Sequence, residues 1–165
     1  MSESGRSTAV LEDLDALVEA RSRPPRVVVV GLDVAELDRA GPQPSRNAAA
    51  YAVGLARRES ARVVGVWVRP PVTYAETFAS PSATIAHRRK EAEEELRERA
   101  ARAEQHFGLS GSAIVVRDGD PAVELLRVAA EVNADEIVVG ASSERFGSVP
   151  AYVVKRAEVP VTVVP

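Results

Sequence analysis

The sequence of 165 residues contains no cysteine, only two histidines and few aromatic residues, which make up 4% of the chain. The absence of cysteine excludes disulfides and thiolate metal sites, and it is typical of proteins from reducing compartments. His87 and His106 are 19 residues apart and lack the paired spacing of metal-ligating histidines. We therefore predict that the protein has no metal site.

Long apolar runs and an excess of positive charge are also missing. No stretch approaches the roughly 20 apolar residues that span a bilayer, and acidic residues between Glu12 and Glu19 stand where a signal peptide would be apolar. Lysine and arginine total 21 against 24 acidic residues, which gives a net charge of −3 and a pI near 5.5. This balance argues against binding to nucleic acid or membranes. We expect a soluble, cytoplasmic protein.

The motifs of common enzyme classes are absent. The sequence has no Gly-x-Ser-x-Gly nucleophile elbow and no Walker loop, because Gly147 is followed directly by Ser148 without a lysine. Asp118 and Asp120 stand two residues apart without a supporting partner, and capping of the next helix explains Asp120 better than acid/base chemistry. We therefore assign no catalytic residues and predict that the protein is not an enzyme.

The chain does contain a series of short, valine-rich runs. They are nearly continuous in apolarity rather than alternating, as expected for strands that are buried on both faces of a parallel sheet. The overall composition, 45% hydrophobic and 27% charged, is that of one ordinary globular domain. The runs are Val27 to Val30, Val63 to Val68, Ala113 to Val116, Ile137 to Val139, and Val161 to Val164.

Helical segments separate these runs. Ser45 to Arg58 is rich in alanine and has Ser45 as its N-cap, while Asp120 and Pro121 supply the cap and the first residue of another helix. Two further helices are predicted, from Thr84 to Phe107 and from Ser148 to Arg156. Strand and helix in alternation predict an α/β domain with parallel strands, whose ligands bind at the carboxyl ends of the strands.

Residues 1–25 form a separate N-terminal arm in this interpretation, in front of the domain at 26–165. Apolar residues recur at helical spacing from Val10 to Val18, which indicates an amphipathic helix. An isolated helix of this length is marginal in water. The arm therefore either packs on the domain or on a partner, or it remains disordered.

Several segments, taken in order, make the chain similar to a known family. Gly119 to Ala122, Asn133 to Gly140 and Val159 to Val164 resemble the closing elements of a universal stress protein, and Val27 to Asp33 resembles its first strand. The resemblance covers about residues 26–165. It implies a Rossmann-like fold with a five-stranded parallel sheet flanked by helices. It also implies a regulatory role in stress adaptation and a homodimer formed through Val159 to Val164.

Some members of that family bind an adenine nucleotide and others bind none, so the cofactor stays open. Binding members carry a glycine-rich loop after the fourth strand. Gly140 matches its first glycine, and Gly147, Ser148 and Val149 match its end, but Ser143 replaces the middle glycine. Only six residues separate Gly140 from Gly147, about half the spacing of the family pattern. Because such loops bind phosphate through backbone N–H groups, the shorter loop predicts weak binding of ATP.

Three other positions correspond to ligand contacts in binding members. Asp33 matches an aspartate near the ribose, and a helix or turn cap is its alternative role. Val68 and Val139 match adenine contacts, and each is equally a core residue. The segment Val34 to Pro44 is longer than the family's usual link, and it either covers the crevice or fills it.

Three functions are consistent with these observations. The first is a non-catalytic regulatory or binding protein with a degenerate nucleotide-binding loop. The second is a stress sensor that binds ATP, AMP or cyclic AMP, and the third is a slow ATPase. The shortened loop and the lack of catalytic motifs favour the first.

Overall fold

The computed structural model describes residues 25–69, 85–141 and 148–165, with side chains for all of these except 85–89. The predicted N-terminal helix lies outside the described residues, as do Ser143 and Gly147. The described ranges contain all five valine-rich runs and all four predicted helices, apart from Thr84 at the start of the second helix. The predicted fold can therefore be compared with the structure.

Five strands form one sheet in the described part of the chain, and every neighbouring pair is parallel. The strands are β1 (Val27–Leu32), β2 (Arg62–Arg69), β3 (Ala113–Asp118), β4 (Glu136–Gly140) and β5 (Val161–Val164). Their order is β3-β2-β1-β4-β5, so β1 is central and β3 and β5 are the edges. The predicted parallel α/β sheet is confirmed, and each valine-rich run lies within one strand.

Four α-helices and one 3₁₀ helix connect these strands in the same ranges. They are the 3₁₀ helix (Val34–Asp38), α1 (Pro44–Glu59), α2 (Ile85–Phe107), α3 (Pro121–Glu131) and α4 (Ser148–Arg156). None of them combines the length and the hydrophobicity that a membrane-spanning helix needs. The bounds predicted for α4 are correct, and Asp120 caps α3 as predicted.

The predicted start of α1 is wrong. The helix begins at Pro44 and its N-cap is Gln43, which makes no side-chain cap hydrogen bond. Ser45 therefore lies in the first turn and is not the cap. Proline suits the first helical position because its φ is already helical and its missing N–H would have no partner there.

Alternating side chains of β1 divide the core into two layers. Val28 and Val30 pack with α1 and α2 on one face of the sheet, and Val27 and Val29 pack with α3 and α4 on the other. Alanines let α1 approach the sheet closely, since they carry only a methyl group. The alanines of α1 that are fully buried are Ala48, Ala49 and Ala52.

The start of α1 contacts the end of β4 directly, at a glycine. A Cβ atom placed on Gly140 would lie 2.3 Å from the main-chain carbonyl carbon of Pro44 and 2.4 Å from its oxygen. Any side chain at position 140 would thus force the helix away from the sheet. Gly140 is required here for close backbone approach, whether or not it also contacts a ligand.

A buried carboxylate holds the opposite, amino-terminal end of the sheet. Glu136 of β4 accepts a hydrogen bond of 2.7 Å from the hydroxyl of Thr162 in β5, and it lies 3.4 Å from the guanidinium of Arg26. Arg26 also pairs with Glu59 at the end of α1. These contacts join α1 to β1, β4 and β5.

We predict that Gly140→Ala lowers the free energy of unfolding by roughly 1–3 kcal/mol, the usual effect of inserting a methyl group into a well-packed contact. Urea titration followed by circular dichroism measures this change. Gly54→Ala is the matched control, because Gly54 lies inside α1 and its Cβ would come no closer than 3.6 Å to Arg58. That control should stabilise the protein by about 0.5–1 kcal/mol. Stabilisation by both substitutions would contradict the tight contact at Gly140.

Candidate functional site

The carboxyl ends of β1 and β4 define the candidate site. The two strands are neighbours, yet the chain leaves β1 for α1 on one face of the sheet and leaves β4 for α4 on the other. Connections that diverge in this way open a crevice in which ligands of parallel sheets bind. A cavity of about 530 Å³ lies at this point. Its volume is in the range of pockets that hold small molecules.

Apolar groups line most of the cavity. Val66 and Val68 of β2, Leu125 of α3 and Val139 of β4 form an apolar wall. Polar side chains gather toward the start of α1, where Asp33, Glu36 and Ser45 lie, and Ser148 stands at the start of α4. The other described residues that line the cavity are Gly31, Leu32, Ala35, Pro44, Pro121, Gly140, Val149 and Pro150.

The structure brings together six of the eight site residues that the sequence indicated. They lie just after β1, near the ends of β2 and β4 and at the start of α4, and all six line the same cavity: Asp33, Val68, Val139, Gly140, Ser148 and Val149. The other two, Ser143 and Gly147, lie outside the described residues. The cavity therefore places the indicated residues around one space, and their contact with a ligand stays a prediction.

Asp33 is a helix cap in this structure. Its carboxylate accepts a hydrogen bond of 3.0 Å from the N–H of Ala35, in the first turn of the 3₁₀ helix, and it pairs with Arg39 at 2.5 Å. Its own N–H donates to the hydroxyl of Ser45 at 2.9 Å. Asp33 thus has the capping role that the sequence analysis gave as the alternative to a ribose contact. Its carboxylate is half-exposed at the cavity wall, where a ligand hydroxyl can still reach it.

Glu36 is a cavity residue that the sequence did not indicate. It is only 2% exposed. Its carboxylate accepts hydrogen bonds from the N–H groups of Ser45 at 2.9 Å and of Arg46 at 3.2 Å, so it caps α1 in place of an N-cap side chain. In the sequence, a glutamate eight residues before the helix and in a charged segment cannot be distinguished from a solvent-exposed residue.

The inserted segment forms a wall of the cavity. Its 3₁₀ helix is held against α2 by Asp38, which accepts hydrogen bonds from Arg99 and Arg102, each at 3.1 Å. Val34 is 2% exposed and packs in the core beneath it. Of the two roles expected for this segment, covering and filling, the structure favours covering, because the cavity remains beside it.

Besides the 3₁₀ helix, three α-helices begin around the cavity, and carboxylates cap α1 and α3. Helix N-termini attract anions through free N–H groups and the helix dipole. Glu36 occupies the N-terminus of α1, and Asp120 accepts 3.0 Å hydrogen bonds from the first-turn N–H groups of α3. The first turn of α4 contains no acidic residue, and the residue before this helix lies outside the described part of the chain. Asp118, two residues before the cap of α3, pairs with Arg69 at the end of β2.

The described residues contain no group of three or more side chains arranged to hold a metal ion. The ionisable side chains among the described cavity residues are Asp33 and Glu36. Each already accepts backbone hydrogen bonds. The described residues that line this space include no lysine, arginine or histidine. They therefore offer no positive side chain to offset the charge of a bound phosphate.

Solved structures share this architecture. A universal stress protein from Archaeoglobus fulgidus is 20% identical, with a TM-score of 0.58 over 90% of this chain and 99% of the other. A universal stress protein in complex with cAMP is 25% identical, with a TM-score of 0.51 over 85% and 96%. A family protein from Arabidopsis thaliana with AMP bound is 21% identical, with a TM-score of 0.55 over 85% and 91%.

Sequence comparison gives the family independently of the fold. No curated protein matches the sequence at a significant level. The profile of the universal stress protein family, by contrast, matches residues 24–165, which is most of the chain. The chain therefore belongs to the universal stress protein family.

Proposed function

We propose that this protein is a non-catalytic regulatory protein whose cavity binds the adenosine part of an adenine nucleotide and holds a triphosphate only weakly. The observation that carries the proposal is the cavity between β1 and β4, in which the chain's own carboxylates occupy two of the helix N-termini. Cyclic AMP and AMP are bound in the two similar proteins described above. They support adenine nucleotides as the class of ligand.

The lining of the cavity suits an adenine base and a ribose. A flat heterocycle can lie against the apolar wall that Val66, Val68, Val139 and Leu125 form. Ribose hydroxyls can donate to the half-exposed carboxylate of Asp33. The arrangement offers apolar contact for the base and an acceptor for the sugar.

Weak binding of polyphosphate has two supports. The sequence between Gly140 and Gly147 is short, which limits the number of backbone donors for phosphate. The caps on α1 and α3 place negative charge near the positions where helix N-termini would otherwise attract phosphate. Together these features favour a nucleoside, a monophosphate or a cyclic nucleotide over ATP.

A regulatory role is supported by the chemistry of the described cavity residues. Phosphoryl transfer depends on positive groups that stabilise charge on the transferred phosphate. The side chains that line this cavity are apolar, hydroxyl or carboxylate groups. A slow ATPase would need positive groups from residues other than these described lining residues. We therefore propose that the nucleotide is bound and not hydrolysed.

Calorimetric titration of the full chain with adenosine, AMP, cyclic AMP and ATP tests the proposal. We expect AMP and cyclic AMP to bind at least about tenfold more tightly than ATP, a difference of about 1.4 kcal/mol. Val68→Phe should weaken AMP binding by a similar factor, because the ring fills the space for the base. Val115→Phe is the control, since Val115 packs on the same face of the sheet in neighbouring β3, outside the cavity.

Two results would contradict the proposal. Absence of both heat and thermal stabilisation at millimolar nucleotide would exclude the binding role. Steady release of inorganic phosphate from ATP, lost in Val68→Phe and retained in Val115→Phe, would exclude the non-catalytic role.

We also propose that two copies associate through β5. This strand is a sheet edge with half-buried side chains, and an uncovered edge strand favours pairing with another chain. The large apolar side chains that are exposed in the described residues are Tyr51, Tyr152 and Val154. They lie on α1 and α4, which pack on the two faces beside β5. Asn47, one turn before Tyr51, donates a hydrogen bond to the carbonyl of Pro165 just after β5.

Sedimentation velocity tests this association. The double variant Tyr51→Glu/Val154→Glu should raise the dimer dissociation constant at least about tenfold, because it places charge on both sides of the paired strands. Ala101→Glu/Ala130→Glu adds the same charge at exposed positions of α2 and α3 and should leave the dimer intact. A monomeric wild-type chain at micromolar concentration would refute the proposal.

A further inference from the structure

Glu36 has an unusual setting for a buried carboxylate. The residue is 2% exposed and lines the cavity, but no described lysine or arginine forms an ion pair with it. Its two oxygens instead accept the N–H groups of Ser45 and Arg46, at 2.9 and 3.2 Å. The start of α1 therefore balances its negative charge. In effect, the chain supplies its own anion to this helix.

The carboxylate of Glu36 affects which ligand groups the α1 side of the cavity can bind. A helix N-terminus beside a cavity attracts phosphate through the same N–H groups that Glu36 now occupies. A second anion placed there would be repelled by the Glu36 carboxylate and would find these N–H donors already occupied. Asp33 adds a carboxylate on the same side, offset in part by Arg39. Uncharged groups that carry O–H or N–H donors meet no such penalty.

We infer that Glu36 is a specificity-determining residue, which excludes anionic groups from the α1 side of the cavity and favours an uncharged nucleoside there. The inference rests on the proposed binding of adenine compounds and deepens it, because it assigns their discrimination by charge to one residue. The phosphate of a bound nucleotide is then expected on the side of the cavity away from the start of α1.

The 3₁₀ helix that carries Glu36 has other attachments. Asp33 caps it, Asp38 ties it to Arg99 and Arg102 of α2, and Val34 anchors it in the core. Replacement of Glu36 is thus expected to leave the wall of the cavity in place. It will remove a cap from α1, so loss of stability alone does not distinguish the specificity role from capping.

Gain of anion binding does distinguish the two roles. We would titrate the full chain with inorganic phosphate, adenosine and AMP, at constant ionic strength, for wild type, Glu36→Ala and Glu36→Gln. Glu36→Ala frees both N–H groups and makes room for an anion, while Glu36→Gln removes the charge and keeps the shape. Glu131→Gln is the control for net charge, because Glu131 is exposed at the far end of α3 and pairs with Arg117.

We expect Glu36→Ala to bind inorganic phosphate at least about tenfold more tightly than wild type or Glu131→Gln. The preference for AMP over adenosine should rise by a similar factor, and Glu36→Gln should shift both quantities in the same direction. If phosphate binds neither Glu36 variant more tightly than it binds Glu131→Gln, the inference is overturned. If adenosine and AMP bind no variant, the proposed function fails, and the phosphate titration still decides the role of Glu36.

Discussion

Main-chain contact between Pro44 and Gly140 sets the geometry of the cavity. The helix start can lie on the end of β4 only because position 140 has no side chain. This contact places the first N–H groups of α1 at the edge of the crevice, where Glu36 accepts hydrogen bonds from those of Ser45 and Arg46. In this protein the glycine that resembles part of a phosphate-binding loop therefore has a packing function as well.

The carboxylates around the cavity connect stability with ligand choice. A helix N-terminus can be satisfied by a bound anion or by a side chain, and this chain uses side chains at α1 and α3. The fold then does not depend on phosphate to complete those helices. The architecture that holds cAMP or AMP in two similar proteins is thus complete here at α1 and α3 without a bound anion.

Much of the fold could be predicted because its determinants are local. Five runs such as Val27 to Val30 are apolar on both faces, and Asp120 with Pro121 marks a helix start by residue type alone. Six predicted site residues also line one cavity, since the ends of parallel strands meet at one edge of the sheet. Glu36 could not be found in this way. Its partners are backbone N–H groups that reach it only after α1 has packed on Gly140.

The start of α1 shows a second limit of the sequence. Ser45 has the residue type of an N-cap, but Pro44 before it is equally suited to the first helical turn, and local preferences do not choose between them. The choice follows from tertiary contacts, because Ser45 accepts from Asp33 and its N–H donates to Glu36.

The hydrogen bond between Thr162 and the buried carboxylate of Glu136 fixes the register of β5 at the end of the sheet that lies away from the cavity. A slip of β5 by one residue would break this hydrogen bond and exchange the faces to which its valines point. Strand alignment is therefore fixed at the amino-terminal end, remote from the loops that shape the crevice. The loops at the opposite rim can therefore differ in length without disturbing the order of the strands.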